Sequence, residues 1–268
     1  MKRFLYLTIS AFFLLSALFS PRVYATNYQD LWWNPAESGW GVNIAQQNDT
    51  LFATWFIYGA NREPYWVVMP GTSRLPSQVP NEAIYTGAIF QTRGTPFNVT
   101  PFVPISDVTQ VGSATFRFTN ARDGVLTYNI NSNTVTKNIT RQNIVPLNLA
   151  GNYYGGFQRN TTGCTNNQNN GSALDQAIYI VSVAAPTTQT TSISINEVGG
   201  DSCRFTGAYT QFGSTFEGAG AYTCNGATGN WIAREGVSTE STISMKLNLT
   251  RTGETCTITG NIGGFKPN

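Results

Sequence analysis

Apolar residues along this chain fall in short runs rich in β-branched and aromatic side chains, separated by Gly, Asn, Asp and Pro. No stretch sustains a 3.6-residue apolar period, so the pattern predicts strands rather than helices. In the first half it predicts strands at 39–47, 50–58 and 64–69, joined by turns at Asn48-Asp49 and at Gly59-Ala60-Asn61-Arg62. Asn, Asp and Gly suit such turns because they tolerate left-handed backbone or cap it locally. Further strands are predicted at 83–91, 112–119, 124–130 and 134–142. The Pro-rich stretch from Thr95 to Pro104 reads as a long loop, since proline cannot donate to a ladder.

The second half predicts eight strands, at 151–159, 175–184, 190–197, 202–210, 215–224, 229–235, 241–250 and 254–263. Short links favour an up-and-down meander, and eight strands is a size at which such a sheet can close into a barrel. The fold class is therefore all-β: two similar antiparallel meander domains, barrel-like, with a sandwich as the alternative. Three matches in the same order support an internal duplication. "GNYYGGF" stands for "DLWWNPAESGWG", "FTGAYTQFG" for "YTGAIFQTRG", and "KLNLTRT" for "KNITRQ". On this reading Thr86-Gly87-Ala88 corresponds to Thr206-Gly207-Ala208, and Lys137 to Lys246. The domains run from 26 to 146 and from 147 to 268.

Cysteine changes the picture next. The four residues, Cys164, Cys203, Cys224 and Cys256, all lie in the second half. Cys203 and Cys224 are nearly equidistant from Gly213 and so oppose each other across a hairpin. Cys164 follows the first strand and Cys256 opens the last, which closure would bring together. The expected bridges are Cys203–Cys224 and Cys164–Cys256, each contributing on the order of 3 kcal/mol.

Before all this comes a segment of another kind. Lys2 and Arg3 precede an apolar run from Phe4 to Phe19, and Val23-Tyr24-Ala25 supplies small residues for a peptidase. Residues 1–25 therefore read as a signal peptide, too short in its apolar part for a membrane span. The expected product is exported, periplasmic or extracellular, which suits paired cysteines. Of the 16 Lys and Arg residues, those at 2, 3 and 22 leave with the leader, so 13 face 14 acidic residues, a net of −1. That balance argues against a nucleic-acid partner.

The chain has no histidine, which removes the usual general base, the Ser-His and Cys-His pairs and the commonest zinc ligand. No cofactor or metal is expected, since the Asn- and Thr-rich loop 160–172 offers calcium only neutral side chains. Five of six tryptophans lie between residues 32 and 66. In "TLFATWFIY" both faces carry bulky residues, with Leu51, Trp55 and Ile57 on one and Phe52, Phe56 and Tyr58 on the other. One face packs the core and the other presents aromatic surface. Trp32, Trp33, Asn34, Glu37, Trp40 and Asn43 form the candidate ligand-binding set, as flat rings with a few polar groups. Alternation points one of Trp32 and Trp33 inward, and Trp40 should share the buried face of Val42 and Ile44.

The segment "LWWNPAESGWGVNIAQQNDTLFATWFIYGANREPYWVVM" resembles a motif of uncharacterised exported bacterial proteins. The resemblance implies an exported β-rich protein and no activity. The second half is faintly similar to avidin and lipocalin barrels, which supports a barrel there. The expected function is non-catalytic binding of a glycan or small amphipathic molecule, with another protein as a possible partner. A protein-binding inhibitor of a hydrolytic enzyme is the alternative. A carboxylate glycosidase is the third reading, with Glu37, its pKa raised by aromatic surroundings, and Glu63 as the pair.

Overall fold

A computed structural model describes residues 26–80, 82–104, 107–183, 190–198 and 203–267. The predicted leader, 1–25, lies outside them. The first half supplies β1 (Asp30–Trp33), β2 (Gly41–Gln47), β3 (Thr50–Tyr58), β4 (Pro64–Met69), β5 (Ser73–Leu75), β6 (Ala83–Arg93), β7 (Asp107–Phe118), β8 (Asp123–Ile130) and β9 (Asn133–Arg141). They form one antiparallel sheet in the order β4-β3-β2-β1-β9-β8-β7-β6-β5. Its curl brings β4 back against β6 through the pair Val68–Phe90. Setting aside the short flanking β5, eight strands thus form a ring, tightly paired except at that seam.

The second half supplies β10 (Gly151–Thr162), β11 (Gly171–Val183), β12 (Thr190–Val198), β13 (Cys203–Phe212), β14 (Thr215–Cys224), β15 (Ala227–Ser238), β16 (Thr242–Arg251) and β17 (Thr257–Phe265). Each pairs with the next, and β17 returns to β10 to close the barrel. Both disulfides follow from this register. Cys203 sits directly opposite Cys224, and Thr162 opposite Thr257 brings Cys164 to Cys256.

Period two decides which residues enter each core. On β3, Leu51, Ala53 and Trp55 are buried, while Phe52, Phe56 and Tyr58 are exposed. Trp32 is fully buried, its ring tilted at 53° against Phe118 with centres 4.8 Å apart, and its indole N–H donates to Tyr28 O at 2.9 Å. Inside the barrel, Tyr153, Phe157, Phe205, Phe216, Trp231 and Leu247 fill the middle and one end.

The duplication needs correction in its details. Thr86-Gly87-Ala88 lies on β6, the fifth strand around its ring, and Thr206-Gly207-Ala208 on β13, the fourth around the barrel. Lys137 lies on the last strand of its ring and Lys246 on the penultimate one. The halves share a meander order, but these short matches do not mark equivalent strands. Thr, Gly and Ala recur wherever facing strands approach closely, so the same triplet arises at different places.

The halves meet at the β13–β14 hairpin tip. Asp30 Oδ2 accepts from Ser214 N and Ser214 Oγ, both at 2.8 Å, and from the Arg141 guanidinium at 3.0 Å. Gly213 N donates to Asn143 Oδ1, Gln211 Nε2 donates to Val145 O at 2.7 Å, and Arg122 lies over the Phe212 ring.

Candidate binding surface

The outer face of the first sheet carries its aromatic residues in register. Phe56 on β3 is paired with Gly41 on β2 and with Trp66 on β4. Trp32 pairs with Val42, so Trp33 falls one step further along β1, beside Gly41. Trp33, Phe56 and Trp66 therefore form a row across the strands, with Gly41 between the first two. A side chain at Gly41 would touch only Trp32 O, at 3.5 Å. Its absence leaves a depression of about 260 Å³ walled by Trp33, Trp40 and Phe56. Phe56 is 59% and Trp66 49% exposed. Two strand spacings, across β2, separate Trp33 from Phe56, roughly 9–10 Å. Asn43 follows Gly41 on the same outer face and is exposed, so a hydrogen-bonding group borders the row.

A second cluster lies beside the core of the same ring, around Trp40. Glu37 is held by a tight turn: its N–H donates to Asn34 O at 2.9 Å, while Asn34 Oδ1 accepts from Ala36 N. Glu37 Oε2 accepts from Lys137 Nζ at 2.6 Å and from the Trp40 indole N–H at 3.0 Å. Lys137 also sits over the Trp40 ring, 5.8 Å from its centre. The Lys137 hydrogen bond holds the Glu37 carboxyl below the usual carboxylate range, helped by Trp40 and opposed by burial. This reverses the expectation that aromatic surroundings raise it. A neighbouring ammonium dominates over the rings.

The candidate set is thus divided. Trp33 and Trp40 line one depression, and Glu37 binds Trp40. Trp32 is a fully buried core residue beneath the same depression. Asn34 is a turn residue that borders a separate hollow with Pro35 and Thr140. Trp40 packs against the core through its face but is only half-buried, because it lies at the rim, one residue before β2 begins. Glu63 is an exposed turn residue whose carbonyl accepts from Gly59 N. Phe56, already placed on the outer aromatic face, and Trp66 complete the row although neither belonged to the candidate set. The mark that finds them is a bulky apolar residue on the face opposite a strand's buried one.

Among the described residues, no helix is long and apolar enough to cross a membrane. Cysteines paired in two disulfides are consistent with a periplasmic or extracellular location. No family model matches the chain, and neither the curated proteins nor the solved structures hold a match to it.

Proposed function

We propose that the chain is an exported, non-catalytic binding protein whose ligand, a glycan or small amphipathic molecule, lies on the outer row of Trp33, Phe56 and Trp66. Phe56 and Trp66, exposed beside the half-buried Trp33, carry this reading. Large rings on a solvent-facing sheet contribute nothing to the core behind them, and rings with neighbouring amide groups are what a sugar or amphipathic ligand stacks on. Glu37, ionised and bound to Lys137, is in the wrong state for the proton donor of a glycosidase.

Tryptophan fluorescence across a panel of soluble glycans tests the reading. A bound glycan should shift the emission, and Phe56→Ala and Trp66→Ala should each weaken it at least tenfold with unchanged melting temperature. Binding that survives both substitutions, or a panel with no binder, overturns it.

A protein partner has one specific observation in its favour. The β6–β7 loop repeats Thr-Pro-Phe at 95–97 and 100–102, and Phe97 is 96% and Phe102 62% exposed. Thr95 Oγ1 donates to Val103 O at 3.0 Å and Val99 N to Pro96 O at 3.0 Å, so the loop carries internal order. Loss of a partner on Phe97→Ala, with glycan binding intact, would mark this loop as the protein-binding element.

A further inference from the structure

The barrel is filled at one end and open at the other. At the end near the hairpin tip, Tyr153, Phe216, Ile243 and Met245 are all buried. At the disulfide end, the same strands turn charged residues inward. Arg159 and Asp175 lie on the faces of β10 and β11 that bury Phe157 and Ala177, and Arg251 on the face of β16 that buries Leu249. Small closed barrels ordinarily fill such positions with apolar side chains. Here they border a cavity of about 200 Å³ with a floor of Phe157, Phe205, Tyr222 and Leu249.

Two guanidinium groups and one carboxylate, that of Asp175, are the charged groups lining this cavity. Arg159 Nε contacts Asp175 Oδ2 at 2.6 Å, and Arg251 Nη1 contacts Glu254 Oε1 at 3.3 Å. Each guanidinium carries five N–H donors and no acceptor, so one such contact leaves most of its donor capacity for another acceptor. Asn169 adds an amide from the adjoining loop, and burial pushes the Tyr222 hydroxyl up, keeping it protonated. The cavity is also preformed. The Cys164–Cys256 bridge and the Cys164 N–H, which donates to Asn170 Oδ1 at 3.0 Å, fasten the loop beside it. The Cys203–Cys224 bridge forms part of the wall.

We propose that this end of the barrel is a second binding site, separate from the aromatic row, for a small amphipathic carboxylate. Its apolar body lies on Phe157, Phe205 and Leu249, and its carboxylate meets the guanidinium groups of Arg251 and Arg159. Planar guanidinium suits a carboxylate because two parallel N–H bonds can form.

Calorimetric titration of the oxidised full chain with 3-phenylpropionate, octanoate and their neutral amides tests this. At least one acid should bind, and its amide at least tenfold more weakly. Arg251→Gln and Arg159→Gln should each lower the acid's affinity at least tenfold, while Phe56→Ala leaves it unchanged. Arg251 is partly exposed at the mouth, so Arg251→Gln carries the test even where Arg159→Gln lowers stability. Backbone amide shifts confined to Phe157, Tyr222 and Leu249 would place the acid in the cavity. Absence of binding by both acids, equal binding of acid and amide, or binding indifferent to Arg251→Gln overturns the proposal.

Discussion

Trp32 and Trp33 are neighbours with opposite duties, and a strand's alternation is the whole reason. Trp32→Ala removes a fully buried indole and should cost about 3–5 kcal/mol in thermal or denaturant unfolding. Trp66→Ala, on the exposed face, should stay within about 1 kcal/mol. Tyr85 is the instructive buried residue. It is fully enclosed, its hydroxyl has no partner among the described residues, and burial pushes its pKa up to about 12. The folded state therefore disfavours the phenolate. Stability should be unaffected below pH about 10, the ordinary value, and fall as pH rises from there to about 12. Tyr85→Phe should lessen that decline, to which Tyr28, Tyr65 and Tyr222, also pushed up by burial, contribute, and it should cost little near neutral pH, because it deletes an unpaired buried group. Unfolding curves from pH 8 to 12 check both. Glu37 has the opposite sign: its contribution is present above the ordinary carboxylate value and lost as pH falls through the lowered one. NMR titration of Lys137→Met should return Glu37 to the ordinary range.

At the scale of elements, the close approach of strands inside the barrel rests on missing side chains. Gly207 on β13 faces Gly220 on β14. A Cβ on Gly220 would fall 2.0 Å from Thr206 O, which is backbone and cannot step aside. Trp231, paired with Gly220 on β15, donates its indole N–H to that same Thr206 O at 3.1 Å. Gly220→Ala should therefore cost about 1–3 kcal/mol as an overpacking change, visible as a lowered melting temperature. Most strands, the turns and both bridges were legible in the sequence through local period, counting from Gly213 and closure of the sheet, whereas the short β1 and β5 were not among the predicted strands. The Glu37–Lys137 pair was not, since 100 residues separate its members and nothing local marks them. The same holds for the seam between β4 and β6, which one residue pair makes. The row of rings was half legible: "TLFATWFIY" declares an aromatic outer face, but only register sets Trp33, Phe56 and Trp66 in line. The inward arginines of the barrel escape notice because alternation names a face without saying that its far end stays open.

For the molecule as a whole, one part-buried carboxylate ties together several of the contacts between the halves. Asp30 answers the fully enclosed Arg141 and the hairpin tip at Ser214 together. Asp30→Ala leaves that guanidinium buried without its charge partner, and should cost about 3–5 kcal/mol. It should also split a single calorimetric transition into two, one for each half. The placement of the cysteines has a consequence for synthesis. The bridge from Cys164 to Cys256 spans 92 residues and waits for the last strand of the chain, while the first sheet is complete by Arg141. A chain emerging from its amino end can finish the first half before a single thiol has appeared. The oxidant of its surroundings then governs only the later half, and the earlier one is ready as a template against which the barrel's hairpin tip can seat.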